Sequence, residues 1–461
     1  MKISRRVLKY AKEHFNEVKH TTLNPEGPGV VRIHLLPPKV TDDEIAPSVV
    51  IINGQDIIPV DVSWTILLSE FISEVNQYSE RELTDTDVSA IVKSTCKRMR
   101  KVFPLLPNKY VISDILTIME TFKQVAYHEP VTEEIPYMSL GEYAPFMKAP
   151  HRMDLLVSAM TKDGMWQCNQ HCLHCYAAGQ THSEEQELST KEWKEIMDKL
   201  KTIGVPQITF TGGEPTMRDD LIELIDHGQW FVTRLNTNGL KLTKEYCNAL
   251  KEASLDSVQI TFYSHDKEIH NALVGEDGYD RTVDAIKNAL ELNISVSVNT
   301  PLCTKNSDYV STLKFLHDLG VTYVTCSGLI TTGNAQKEGS TKLQLSKEEI
   351  SEILKEAVDF CEKNSMEISF TSPGWVDPSL CEELSISTPA CGACLSNMAI
   401  TPGGNVVPCQ SWLSQDALGT FLSDDWETIW NCKECQARRD FSALMLGTCP
   451  LRITEGGEKD A

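Results

Sequence analysis

Two short apolar runs flank an Asn-Gly pair in PSVVIINGQDIIPV (47–60), and an apolar pattern of helical period follows in DVSWTILLSEFISEVN. This reads as strand, tight turn, strand and helix. Helical periodicity returns in DVSAIVKSTCKRMRKVF and SDILTIMETFKQVA, whereas residues 1–47 carry no pattern that assigns an element. The stretch EPVTEEIPYMSLGEYAPFMKAP is proline-rich and aperiodic, which predicts a linker over 131–152. From Asp154 to about Leu329 the pattern changes to alternation. β-rich runs recur as DLLVSAM, QITFT, FVTRLN, SVQITFY, ISVSVN and TYVTC, and amphipathic helical segments separate most of them. Such βα alternation predicts an α/β fold with a parallel sheet, because each crossover places a helix on the sheet face. Ligands of such sheets gather at the C-terminal strand ends.

Three loops at those ends stand out. WQCNQHCLHCYAAG follows the first run and sets Cys168, Cys172 and Cys175 within eight residues, with His171 and His174 between them. TGGEPT (211–216) follows the second run and NTNG (236–239) the third. Zinc sites usually use two separated cysteine pairs. Three thiolates on one loop suit a metal centre that keeps one position open, and soft thiolates serve iron–sulfur clusters as well as zinc. Gly212 and Gly213 lack β-carbons and allow close backbone approach, while Glu214 and Pro215 fix the loop shape. The bland reading of this loop alone is a tight turn. The histidines read as loop residues rather than ligands.

The C-x3-C-x2-C spacing with Tyr176 after the last cysteine, followed by GGEP, resembles the radical SAM superfamily over roughly residues 153–330. The resemblance implies a partial (β/α)6 TIM-like barrel over 153–335. Cys168, Cys172 and Cys175 would hold a 4Fe–4S cluster whose open iron chelates S-adenosylmethionine. An external electron donor such as flavodoxin or ferredoxin would feed the cluster, and reductive cleavage would give a 5′-deoxyadenosyl radical that abstracts hydrogen from substrate. Tyr176, Gly212, Gly213, Glu214, Pro215, Thr237, Asn238 and Thr261 become cofactor-side candidates. Cys303 and Cys326, near the ends of the fifth and sixth runs, become candidate hydrogen donors, against the plainer reading of small buried residues.

Six further cysteines lie near the C-terminus: Cys391, Cys394, Cys409, Cys432, Cys435 and Cys449. MAITPGGNVVPC reads as strand, Pro-Gly-Gly turn and a strand ending in a thiol. Residues 336–461 thus resemble the SPASM or twitch extension that carries auxiliary iron–sulfur clusters. The match is partial, because thirteen residues separate Cys435 from Cys449 where the full pattern has a short C-x5-C step. The C-x2-C-x14-C part also resembles the auxiliary site of the molybdenum-cofactor cyclase. At least one auxiliary 4Fe–4S cluster is expected and two stay open; the alternative is a zinc ribbon built from the two C-x2-C pairs.

Composition narrows the partners. A formal charge of -22 argues against a nucleic-acid backbone as main partner. No apolar run is long enough for a bilayer and no secretory signal pattern opens the chain, so a cytoplasmic protein without membrane contact is expected. Fifteen cysteines in such a chain point to metal or catalysis rather than disulfides. The strand–turn–strand–helix pattern looks like a winged-helix module and, over 1–130, resembles the leader-recognition domain of ribosomal peptide maturases. The expected substrate is therefore a peptide or protein, with or without a leader. The rivals are a small-molecule dehydrogenase or cyclase and a non-catalytic iron–sulfur or zinc scaffold.

Overall fold

The computed structural model describes residues 4–23, 30–54, 56–78, 83–127, 129–132 and 138–452. The chain divides into two compact units, one of residues 1–149 with 199–206 and 230–232, the other of the remainder.

The first unit holds an antiparallel sheet in the order β1 (Lys19–Leu23), β2 (Val31–Leu36), β3 (Ser48–Ile52) and β4 (Asp56–Val60). The expected hairpin is present. Asn53 and Gly54 both have positive φ, 49° and 73°, as a two-residue turn matched to strand twist requires. Every residue of β3 is buried because strands flank it on both sides and core lies against it. The helices Val62–Val75, Asp85–Val102 and Asn108–Ala126 follow, and their apolar faces share one cluster with the sheet. Asp61 caps the first of these helices, accepting from the Ser63 and Trp64 amides.

Residues 1–47, silent as sequence, add the helix Arg5–His14 and half of this sheet. Their pattern is illegible because Arg32 and His34 are buried within β2, which destroys its polar–apolar contrast. The expected linker is not wholly free chain. Ser139 and Glu142 close a capping box on the short helix Leu140–Tyr143, and Tyr143, Met147 and Ala149 are buried. Residues 133–137 of that segment lie outside the described residues.

The second unit is built on β5 (Arg152–Ser158) and a small hairpin, β6 (Thr161–Lys162) with β7 (Met165–Trp166), which delivers the chain to the first cysteine loop. Then come β8 (Gln207–Gly212), β9 (Val232–Thr237), β10 (Ser257–Thr261), β11 (Ser295–Pro301) and β12 (Tyr323–Ser327), all parallel, with helices between them. The six predicted βα units are thus found in order.

Two additions were not expected. β13 (Glu367–Phe370) adds in parallel beyond β12, and β14 (Asn397–Ile400) adds in parallel beside β5. The sheet continues antiparallel through β15 (Asn405–Val407) and β16 (Gly419–Thr420). An open barrel leaves its first strand with unpaired backbone groups. Here β14 pairs with that edge, which is why β5 is buried along almost its whole length. Residues 336–452 accordingly fall in the same compact unit as the barrel.

Candidate radical and auxiliary cluster sites

Trp166 ends the hairpin and donates its indole N–H to the Gln170 carbonyl at 2.8 Å, fixing the start of the cysteine loop. The amides of His171 and Leu173 donate to the carbonyls of Val274 and Leu273 at 2.8 and 3.0 Å. On the other side Asn334 donates its backbone N–H to the Cys175 carbonyl at 2.9 Å and its side-chain amide to the Cys172 carbonyl at 3.1 Å. Ser340 donates to the Leu173 carbonyl at 2.8 Å. The loop carrying the thiols is therefore held largely by its backbone.

The three thiols act on one another electrostatically and are half-buried. Burial pushes Cys168 up to about 12, with the Glu214 charge adding to the rise. Hydrogen-bond donors are nevertheless aimed at the sulfurs: the Gln170 amide and Asn238 side chain at Cys168, Tyr263 at Cys172, and the Ala177 and Ala178 amides at Cys175. Such donors stabilise thiolates and tune iron–sulfur clusters. Among the described residues no trio of Cys, His or acidic side chains is closed to metal-binding distance. The donor set fits an iron–sulfur cluster by its thiols and by the hydrogen bonds aimed at them. His174 packs edge-on against Tyr263, while His171 stacks on Trp166.

The GGEP loop is shaped by its neighbours. A β-carbon on Gly212, at φ 136°, would lie 2.4 Å from the Ser158 carbonyl, and one on Gly213 2.8 Å from that of Ala159. The glycines thus let two strand ends meet, a reason the sequence did not disclose. Glu214 is buried and both its oxygens are used. Oε1 accepts from the Thr216 hydroxyl and the Thr237 hydroxyl, each at 2.6 Å, and Oε2 from the Asn238 amide at 2.9 Å. Burial raises its pKa while these bonds oppose the rise. Pro215, also buried, opens the short turn Pro215–Met217.

Thr237 and Asn238 therefore act first as loop ties: Asn238 also donates to Asn169 Oδ1 at 2.6 Å, joining the third loop to the cysteine loop. Arg218, which sequence reasoning passed over, binds the Val157 and Leu188 carbonyls at 2.9 and 3.1 Å and pairs with Asp220. Beside these loops lies a cavity of about 800 Å³ lined in part by Ser158, Glu187, Glu214 and Met217. Thr261 ends β10 opposite Asn299, on the strand face where Gln259, Thr325 and Asn299 form a polar chain at 3.3 and 2.9 Å.

Cys326 does not reach that face. It alternates with Thr325, is fully buried, and meets Tyr309 and Cys361, which lie on the helices Tyr309–Asp318 and Lys347–Lys363. Strand alternation decides this: neighbouring side chains point to opposite faces. Cys303 is also fully buried, among Tyr263, Leu273, Val274 and Leu329, with Cys172 of the first cysteine loop packed against the same cluster. Cys326 thus faces the helices rather than the polar strand face, whereas Cys303 packs beside the first cysteine loop.

At the C-terminal end the turn Thr401–Asn405 is pinned to the segment just after the first cysteines. Glu185 accepts from the Thr401 hydroxyl, from the Gly403 amide at 3.0 Å and from the Asn405 side chain at 2.8 Å. A β-carbon on Gly403 would lie 2.6 Å from Glu185 Oε2, which accounts for glycine there. His182 pairs with Glu185 at 2.5 Å and reaches the Gln415 carbonyl at 2.8 Å. Tyr176 belongs to the same junction: it packs with Leu156, Met160, Ala399 and Val407, so one aromatic links the cysteine loop to the hairpin.

The six C-terminal cysteines sort into two groups. Cys391, Cys409 and Cys449 pack around Ala393, Trp412 and Leu451, and the charges of Cys391 and Cys449 act on Cys409. Cys394 bonds to Cys435, which is also bonded by Arg439 at 3.6 Å, and the Cys435 amide donates to Cys432 Sγ at 3.4 Å. The mutual bond pushes the Cys394 thiol up and the Cys435 thiol down. Cys391 and Cys394 thus differ in their main contacts, and Cys409 links the two sets, since its charge also acts on Cys394. Cys394 has a positive φ of 56°.

Comparison with known proteins defines the class. Residues 167–319 match the radical SAM superfamily and residues 391–450 an iron–sulfur cluster-binding domain, SPASM. The chain carries a radical SAM domain with a C-terminal SPASM domain; these domains imply a 4Fe–4S cluster, S-adenosylmethionine and auxiliary iron–sulfur centres.

Among curated relatives, the AdoMet-dependent heme synthase of Oleidesulfovibrio alaskensis is 30% identical over 208 residues, 44% of this chain and 53% of that protein. The PqqA peptide cyclase of Bradyrhizobium diazoefficiens is 32% identical over 142 residues, 30% of this chain and 37% of that protein. The chain thus spans about half or less of the curated relatives it matches. In fold it resembles Streptococcus suis SuiB bound to precursor peptide SuiA, with TM-score 0.58, 14% identity, and 88% of this chain and 93% of that chain covered. It also resembles native anSMEcpe with bound AdoMet, with TM-score 0.51, 16% identity, and 64% and 83% covered. Among the described residues no helix is long and apolar enough to cross a membrane.

Proposed function

We propose that this chain is a peptide- or protein-modifying radical SAM enzyme, a maturase that makes a thioether or carbon–carbon crosslink, an epimer or an oxidised residue. Cys168, Cys172 and Cys175 hold the cluster, and the Glu214-centred ties set the loop beside it. When bound, the cluster supplies the electron that splits S-adenosylmethionine, so that hydrogen abstraction from the substrate can follow. The polar chain of Gln259, Thr325 and Asn299, with Thr261 beside it, orients what enters the barrel.

The observation that carries the peptide reading is the first unit. Its sheet has β4 as an edge strand, and the end of that strand, Pro59 and Val60, lines a groove of about 560 Å³ with Ile45, Pro47 and Met138. An extended peptide adds to a sheet edge by main-chain bonds and places alternate side chains in such a groove. The fold likeness to SuiB, solved with its precursor peptide, and the match to a peptide cyclase support this reading.

Ile45→Asp with Met138→Asp, at half-buried groove positions, should weaken binding of a fluorescent precursor peptide at least tenfold. The same variant should leave uncoupled S-adenosylmethionine cleavage intact. Unchanged peptide affinity would remove the leader-docking role. A small-molecule substrate is the second reading, favoured by the longer match to the heme synthase; peptide-independent turnover with loss of the groove's effect would select it.

A further inference from the structure

The loop after β12, residues 331–341, reaches across to the first cysteine loop. Asn334 binds the backbone carbonyls of two cysteines at once, Cys175 through its amide and Cys172 through its side chain, at 2.9 and 3.1 Å. Thr332 donates to the Tyr176 carbonyl at 3.2 Å. Gly333 permits this approach: at φ 58°, a β-carbon there would lie 2.4 Å from the Tyr176 carbonyl and 2.5 Å from that of Cys175. The clasp therefore has both a donor and a vacancy, each set by one residue. Its carrier strand, β12, ends on the polar face beside Thr325 and Asn299.

We infer that Asn334 and Gly333 form a clasp that sets the position of the cluster-bearing loop, making Asn334 a positioning residue for the cluster held by Cys168, Cys172 and Cys175. This rests on the reading that those three thiols carry the 4Fe–4S cluster. Backbone carbonyls that are fixed from outside would keep the thiols in position to hold a cluster with one open iron. Supporting bonds of this kind hold metal ligands in orientation. The consequence is specific: loosening the clasp should release iron from this cluster and alter its electronic response to S-adenosylmethionine, with the C-terminal cysteines untouched.

The test uses the full chain, anaerobically reconstituted and reduced with dithionite. Two readouts are followed: the rate of iron release to a ferrous chelator, and the change in the electron paramagnetic resonance signal on adding S-adenosylmethionine. Only a cluster with an open iron gives the second.

Asn334→Asp keeps the size and the backbone donor but loses the amide to the Cys172 carbonyl. It should speed the first phase of iron release about tenfold, in line with the loss of one buried hydrogen bond, and shift the S-adenosylmethionine-dependent signal. Gly333→Ala, which removes no donor, should do the same by displacement, and Gln336→Ala, whose side chain bonds only within the loop to the Thr331 carbonyl, should match the wild type. Wild-type release and an unshifted signal in both Asn334→Asp and Gly333→Ala would overturn the clasp. Equal acceleration in Gln336→Ala would overturn it too, by showing a general loosening. A wild-type protein with no signal that responds to S-adenosylmethionine would instead overturn the cluster assignment itself.

Discussion

The two sets of cysteines reach their sites by opposite routes. Cys168, Cys172 and Cys175 are neighbours in sequence, and remote chain comes to them: residues 273–275, 331–341 and Asn238 all bind their loop. The other six are spread from Cys391 to Cys449, and the fold gathers them. Cys391 and Cys394, which sequence spacing pairs, have different main partners in it. A compact motif therefore shows its ligand set in the spacing but hides its supports. A dispersed set shows its ligand types but hides how they are grouped.

The largest expected effect tests the compact set. Cys172→Ala should reduce 5′-deoxyadenosine formation to the no-enzyme background, measured by chromatography after reduction with dithionite. Any two thiols that still supported cleavage would break the assignment.

The dispersed set is sharpened by counting metal. One auxiliary cluster predicts about eight irons per chain and two predict about twelve, by four-iron stoichiometry. The grouping adds a finer expectation. Single Ala variants of Cys391, Cys409 and Cys449 should lose iron by one common amount, and those of Cys394, Cys432 and Cys435 by another. About four irons with bound zinc in the wild type would show a zinc module instead. Folding should weaken along with metal loss, because binding and folding of such segments are coupled.

Between the two sets sits the Glu185 pin, with a smaller effect. In Glu185→Gln one acceptor oxygen becomes a donor facing other donors, which should cost ~2 kcal/mol in thermal or urea unfolding. Burial works against the Glu185 charge, but bonds from His182, Thr401 and Asn405 outweigh it and hold the carboxyl below its usual range. The bond to Glu185 raises the pKa of His182 despite partial burial. The Glu185 contribution is present above the unfolded carboxyl pKa and is lost as pH falls through its lowered folded value. That of His182 is complete below its unfolded pKa and is lost as pH rises through its raised folded value. The stability difference between wild type and His182→Ala should thus be larger at pH 6 than at pH 8.

The smallest effect belongs to the two packed thiols. Cys326→Ala should cost ~1 kcal/mol of stability by loss of a small buried group and leave product formation within about twofold. A specific loss of product with stability unchanged would restore a chemical role to that sulfur.

The sequence by itself determined what was local and repeated. Spacing of three cysteines, a GGEP turn, six alternating runs and the Asn-Gly hairpin each encode their chemistry or period within a few residues, so the barrel and its cluster loop were legible. Tertiary structure alone decided the rest. β14 closes the edge of β5, His34 and Arg32 become buried in β2, Glu185 joins segments more than two hundred residues apart, and Cys326 turns outward. Those outcomes depend on which backbone groups lack partners and which strand face meets helices. Such needs arise only once distant segments are side by side, and no window of sequence contains both halves of the pair.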